Sequence, residues 1–297
     1  TTSNACFVKQ AMTINPNPSA ITGTFTVCPG ATTTLSNLTS GGVWSSSNAT
    51  VASVGSASGI VTGNTAGVAN ITYTMGTSCF VTQSVTVNTT PSANTGSSTV
   101  CIGQSTTLSN STGGGLWSSN NSSVATVGST TGVVNGITAG NANISYIISA
   151  TGCFTVTTMT VNSNPAAITG SFTVCTAATT TLANATSGGV WSSSNATLAT
   201  VGSATGVVTG VAAGNPNITY LMATGCFAVQ NITVNPSPSA ISGPTAVCTG
   251  ASITLSDVSG GGSWSSSSIG LATVGSATGI VNGLTAGVVT ISYTIAN

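Results

Sequence analysis

Four tryptophans, Trp44, Trp117, Trp191 and Trp264, stand 73, 74 and 73 residues apart, and Cys28, Cys101, Cys175 and Cys248 keep the same interval. Around each lies a variation on one sentence, first written as CPGATTTLSNLTSGGVWSSSNATVASVGSASGIVTGNTAGVANITYTM and followed by a Cys-Phe step and a TVN ending. Self-similarity at a fixed period means that one supersecondary unit is copied, so the chain folds as a row of like units. Its 297 residues divide into units of about 74, a size at which a small domain buries a core of its own.

Within one copy the signals are strand and turn. β-Branched residues recur in short runs, and Gly, Asn, Ser or Pro separates the runs every eight to twelve residues or so. In the first copy TFTVC, TTTLSN, GVWSSS, VASVGS, GIVTG, ANITYTM and CFVTQSVTVN read as seven strands, with turns at Pro29-Gly30, Ser40-Gly41-Gly42, Ala57-Ser58-Gly59 and Ala66-Gly67. Ile71, Tyr73 and Met75 alternate with Asn70, Thr72 and Thr74, the period-two pattern of a strand with one buried face. Seven strands is the count of an Ig-like sandwich. The fold expected is therefore all-β, a rod-like tandem array of four Ig-like β-sandwich modules. The single Trp of each copy is expected to fill the core, and Tyr73, Tyr146, Tyr220 and Tyr293 to lie in or at its edge with the hydroxyl on a backbone partner.

The run WSSSNATVASVGSASGIVTGNTAGVANITY resembles the bacterial Ig-like group 2 (BIG2-type) module, whose pattern of Trp, Gly and Tyr positions recurs in all four copies. The cysteines before the PGA-type turn and in the GCF step look like the variant strung in arrays through large surface proteins of adhesive or gliding bacteria. The resemblance implies secreted, non-enzymatic stalk and adhesin modules at the bacterial cell surface and carries over no catalytic residue. Typical modules are more charged than this chain.

Lys9 and Asp257 are the only charged side chains and there is no His. General acid-base work and activated nucleophiles need titratable partners that this composition does not supply, so no enzyme and no catalytic residue is expected. Zinc needs clustered Cys and His, calcium needs several carboxylates and nucleic acid needs a basic face, so no cofactor, metal or nucleic-acid partner is expected either. Mean hydropathy is +0.45, yet no stretch approaches the roughly 18 to 20 apolar residues of a membrane-spanning helix.

Eight cysteines, two per copy, read as disulfides formed in an oxidising, extracellular compartment. Three pairings compete. Bonds within a module would join Cys28 to Cys79, Cys101 to Cys153 and Cys175 to Cys226. Bonds across 22 residues would join Cys6 to Cys28, Cys79 to Cys101, Cys153 to Cys175 and Cys226 to Cys248, and require the chain to fold back. Strand parity offers the third, in which the first turn and the last hairpin fall at opposite ends of the sandwich and Cys28 faces Cys153 of the next module. The within-module set is preferred, because a repeat normally carries its own stabilising bond, worth about 2 to 4 kcal/mol.

Residues 1–15, with ACFVKQAMTINP, match the last strand of a module, as in SCFVTQSVTVNT, GCFTVTTMTVNS and GCFAVQNITVNP, and the fourth copy stops at ISYTIAN. The segments are thus 1–15, an orphan last strand, then modules 16–88, 89–162, 163–235 and 236–297, the last without its final strand. An unfilled sandwich is an aggregation hazard. Either the 1–15 strand of one copy completes the 236–297 module of the next, with Cys6 and Cys248 bonded across the chain ends, or the residues are a window on a longer array. Both readings give an extracellular stalk or filament whose partners are copies of itself head to tail or neighbouring repeats. The alternative function is an adhesin whose modules bind glycan or protein. Almost uncharged surfaces promote association, and N-x-S/T triplets at the shared positions Asn70, Asn143 and Asn217 make these the candidate glycosylation sites, for a glycan coat.

Overall fold

A computed structural model of the chain describes residues 6–295. Residues 1–5 of the orphan-strand segment and 296–297 of the last module lie outside the described residues. Every regular element is a β-strand; no described residue is helical. The chain divides into two compact units, Thr1–Ser163 and Asn164–Asn297, each holding two copies of the sequence repeat.

The first copy shows the plan. Its strands are β1 (Thr22–Gly23), β2 (Thr26–Val27), β3 (Thr32–Ser36), β4 (Val43–Ser46), β5 (Ala52–Val54), β6 (Ile60–Gly63), β7 (Gly67–Thr74) and β8 (Phe80–Val87). One sheet runs β1-β3-β6-β5 and the other β2-β8-β7-β4. All seven expected strands are present. The strand TFTVC is preceded by a further piece, β1, which the sequence reading did not separate. The chain crosses from one sheet to the other between β1 and β2, after Gly23. All pairings are antiparallel but one: β2 runs parallel to β8, with Val27 opposite Val87. The second copy repeats this with Thr99–Cys101 beside Phe154–Asn162, and the third with Thr173–Cys175 beside Thr233–Asn235.

Alternation decides the core. In the β7 segment Ala69, Ile71 and Tyr73 point inward and are buried, and in β8 so do Val85 and Val87. They pack with Val27, Leu35, Trp44, Ala52 and Val61 into one apolar cluster. The intervening Thr72 and Thr82 face outward and hydrogen-bond each other across the strands at 3.1 Å. A Thr pair of this kind supports a sheet without charge.

The tryptophan sits in the core, as the sequence suggests: Trp44, Trp117, Trp191 and Trp264 are 6%, 6%, 7% and 7% exposed. Trp44 lies directly opposite Tyr73 across β4 and β7, with ring centroids 4.7 Å apart and planes tilted by 52°. The Tyr73 hydroxyl donates to the Thr39 carbonyl at 2.7 Å and accepts the Gly42 N–H at 2.9 Å, so its polar end is satisfied where the body is buried. Two glycines follow from this pair. A Cβ on Gly42 would lie 2.6 Å from the Tyr73 ring, and one on Gly59, at φ +68°, would meet the Leu35 carbonyl at 2.4 Å and the Trp44 indole at 3.1 Å. Gly59→Ala is accordingly expected to cost about 1–3 kcal/mol from backbone strain alone. Denaturant unfolding of the full chain should show the altered repeat melting ahead of the rest.

Candidate assembly site

The last strand of each sandwich is held on both sides, by β2 and by β7 or their counterparts, and it carries two inward residues. These are Val85 and Val87 in the first copy, Met159 and Val161 in the second, and Ile232 and Val234 in the third, all between 0% and 2% exposed. In the fourth copy no described strand takes this place. Gly262–Ser266 pairs with Ile291–Ile295, and that two-stranded sheet ends there.

Residues 245–247, which correspond to β2 and its approach, form no strand, and the strand that corresponds to β7 runs from Ile291, much as its third-copy counterpart runs from Asn217. Leu255 and Ile291 are half-buried, whereas Leu35, Leu108 and Leu182 are 2%, 2% and 1% exposed and Ile71, Ile144 and Ile218 are fully buried. Val247, Leu255, Val281, Val289 and Ile291 line an open groove in the space that the last strand fills elsewhere.

At the other end of the chain, residues 6–15 form no described strand. Aligned on the Cys-Phe step, Met12 corresponds to Val85, Met159 and Ile232, and Ile14 to Val87, Val161 and Val234. Met12 is 85% exposed and Ile14 91%, so the two side chains that the pattern would bury stand in water. Phe7 and Val8 are also exposed. The Lys9 ammonium lies 4.8 Å from the centre of the Phe7 ring.

The cysteines depart from the preferred pairing. Cys28 is bonded to Cys153, 125 residues on, with Cα atoms 5.5 Å apart. Cys101 and Cys226 are also disulfide-bonded, while Cys6, Cys79, Cys175 and Cys248 are free thiols. The bonds proposed within a module, Cys28 to Cys79 and Cys101 to Cys153, are not formed, and neither is Cys175 to Cys226. The parallel pairing is the reason: it sets Cys101 opposite Asn162 and Cys175 opposite Asn235, nine residues beyond Cys153 and Cys226 on the same strand. Nine residues of strand span about 30 Å, far beyond disulfide reach. The bonds across 22 residues are likewise absent. The arrangement that strand parity offered, Cys28 with Cys153 of the following copy, is the one present.

The single carboxylate takes a structural position. Asn37, Asn110 and Asn184 donate from Nδ2 to the carbonyls of Ser19, Ser92 and Ala166 at 2.5 to 2.6 Å. Asp257 occupies the same place in the fourth copy, where its Oδ1 accepts from the Ser259 N–H at 2.8 Å and its enclosed Oδ2 has no partner. An oxygen here cannot donate as the amide does, and Asp257→Asn is expected to raise the stability of the fourth copy by about 1 kcal/mol. Among the described residues no cluster of His, Cys, Asp or Glu could hold a metal ion. The candidate glycosylation residues Asn70, Asn143 and Asn217 are exposed. Each accepts a hydrogen bond from the neighbouring last strand, from Ser84, Thr158 and Asn231 respectively.

Because Cys28 is bonded and Cys79 is not, their replacements should differ. Cys28→Ser is expected to lower the stability of the Thr1–Ser163 unit by about 2–5 kcal/mol, whereas Cys79→Ser should leave the thermal transition of the single chain unchanged. Calorimetry of the two variants under non-reducing conditions checks both.

Residues 155–232 match the family model of the bacterial Ig-like domain (group 2), a span about one repeat long. No curated protein matches the sequence. Among solved structures, Drosophila N-cadherin EC1-4 is 11% identical with a TM-score of 0.24, covering 75% of this chain and 74% of its own. Domains 1–6 of the surface layer protein SbsC are 14% identical with a TM-score of 0.23, and the match covers 95% of this chain and 53% of that one. The C-terminal 282-residue fragment of intimin, in complex with the intimin-binding domain of its translocated receptor, is 14% identical with a TM-score of 0.27, covering 59% of each chain. The chain is thus an all-β protein of tandem Ig-like repeats, one span of which, residues 155–232, is similar to the bacterial Ig-like domain (group 2), and its disulfides fit an extracellular protein.

Proposed function

We propose that the protein is a non-enzymatic structural subunit of an extracellular stalk or filament, and that its copies join head to tail by strand complementation. Residues 6–14 of one copy serve as the last strand of the fourth repeat of the next. The observation that carries the reading is the match between a strand without a sheet and a sheet without a strand. Met12 and Ile14 are 85% and 91% exposed while their counterparts in three repeats are at most 2% exposed, and the groove beside Ile291 is apolar and unfilled.

Transposed to the fourth repeat, the β7–β8 register would set Met12 of the partner subunit opposite Val289 and Ile14 of the partner subunit opposite Gly287. Both hydrogen-bonded neighbours of the inserted strand then regain a partner. Main-chain pairing supplies affinity in such an addition and the alternate side chains supply register. A head-to-tail contact of this kind does not close on itself, so it propagates as a fibre. Sparse charge favours the same outcome, since nothing repels one copy from another.

A direct adhesin role has less to stand on. Its anchor would be an aromatic platform, and all four tryptophans are inside their sandwiches. A glycan coat on Asn70, Asn143 and Asn217 belongs to the reading of the surface, and the intact mass of native material tests it.

Met12→Asp with Ile14→Asp places two charges on side chains that are exposed in the single chain, so folding should be unaffected. In sedimentation velocity the parent chain is expected to form concentration-dependent polymers and the double variant to remain a monomer. A parent chain that stays monomeric at high concentration overturns the proposal.

A further inference from the structure

The disulfide between Cys28 and Cys153 expresses a rule set by strand register. Parallel pairing brings the first-strand cysteine beside the Asn that ends the last strand, Cys101 by Asn162 and Cys175 by Asn235, at the end where the chain leaves the repeat. The other cysteine precedes the last strand and therefore sits at the end where the chain enters. A leaving-end cysteine meets the entering-end cysteine of the following repeat, as Cys28 meets Cys153. The free thiols are of both kinds: Cys6 and Cys79 are entering-end cysteines, Cys175 and Cys248 leaving-end ones.

We propose that oxidation seals each junction between two copies with two disulfides, Cys175 to the partner's Cys6 and Cys248 to the partner's Cys79, so that the fibre is covalent along its length. This rests on the strand-complementation reading given above. In a completed fourth repeat the parallel register brings Cys248 beside Asn15 of the partner subunit, because Asn15 corresponds to Asn88, Asn162 and Asn235. Within each copy the Cys79 thiol already donates to the Asn15 carbonyl at 3.6 Å. Cys248 and the partner's Cys79 are thus delivered to the same residue from two sides. The partner's Cys6 would open the inserted strand at the entering end of the fourth repeat, in the relation to Cys175 that Cys153 has to Cys28.

The link expected from the sequence, Cys6 with Cys248, does not fit this register. The two would lie nine residues apart along paired strands, about 30 Å, whereas the bonded pair has a Cα separation of 5.5 Å.

Each bond forms by two thiol–disulfide exchanges with a low-molecular-weight disulfide as oxidant. The thiolate of one cysteine attacks the small disulfide and releases one small thiol, leaving a mixed disulfide. The second cysteine's thiolate attacks the protein sulfur of that mixed disulfide and releases the other small thiol. Two protein thiols lose two electrons and two protons, and one small disulfide is reduced to two thiols.

The test mixes equal amounts of 15N-labelled and unlabelled full chain whose free thiols have been kept reduced, then oxidises with oxidised glutathione. After alkylation the product is digested with chymotrypsin, since Lys9 offers trypsin its only site, and disulfide-linked peptides are read by mass spectrometry. Mixed-isotope pairs of Cys175 with Cys6 and of Cys248 with Cys79 are expected. Cys6–Cys248 pairs, pairs of one isotope only, or four alkylated thiols in assembled material each overturn the proposal. The variant Cys6→Ser with Cys248→Ser removes one sulfur from each bond. It should still polymerise in sedimentation velocity yet run at single-chain mass on a non-reducing denaturing gel, where the parent gives a ladder. If neither parent nor variant polymerises under native conditions, strand complementation itself fails and the seal falls with it; polymers of the parent that dissolve to single chains without reductant sink only the seal.

Discussion

The last strand of the repeat is the element on which the others depend, because it is hydrogen-bonded on both edges. On one side it pairs with β7 in a hairpin, and on the other it is the ladder partner of the short first strand. Its two inward side chains lie at the centre of the core. In the described part of the fourth repeat, where no last strand is paired, residues 245–247 form no strand and Leu255 and Ile291 are half-buried. The Trp264–Tyr293 pair, at 4.8 Å, has the same contact as its copies, so the aromatic centre is set by the strands that carry the two rings.

The same strand fixes the cysteines. A parallel neighbour aligns like ends, so the cysteine after the first strand and the one before the last strand are separated by the length of the sandwich. A bond within a repeat is thereby geometrically closed, and a bond to the adjoining repeat is open. Once formed, the longer link also stabilises the fold more, because a disulfide that closes a longer loop removes more freedom from the unfolded chain. The neutral surface and the sulfur bonds are complementary in effect. With hardly any charge there is little electrostatic steering or repulsion, and register is left to side-chain alternation and to where the sulfurs fall.

Much of this was legible in the residues. The seven strands follow from β-branched runs and glycine turns, and the inward placement of Trp44 and its copies follows from their position in a half-buried strand. The hydroxyl bond of Tyr73 could also be read. The separate strand Thr22–Gly23 was not legible, since two residues carry no periodicity. The disulfide partner was not legible either: local spacing gives the same cysteine pattern for three pairings, and only the direction of the first strand relative to the last decides among them. Asp257 read simply as a charge, and its role as a defective copy of Asn37 needed the carbonyl that Asn37 reaches.

Sequence alone determined the repeat length, the all-β class and the identity of the core face. These are properties of composition and of period, which each stretch of chain carries locally. Tertiary structure decided which strand lies beside which, hence the parallel contact between first and last strands and the bond from Cys28 to Cys153. Those depend on pairings between residues far apart in the chain, and hydrophobic alternation, which says only which face is buried, is the same for every strand order that buries that face.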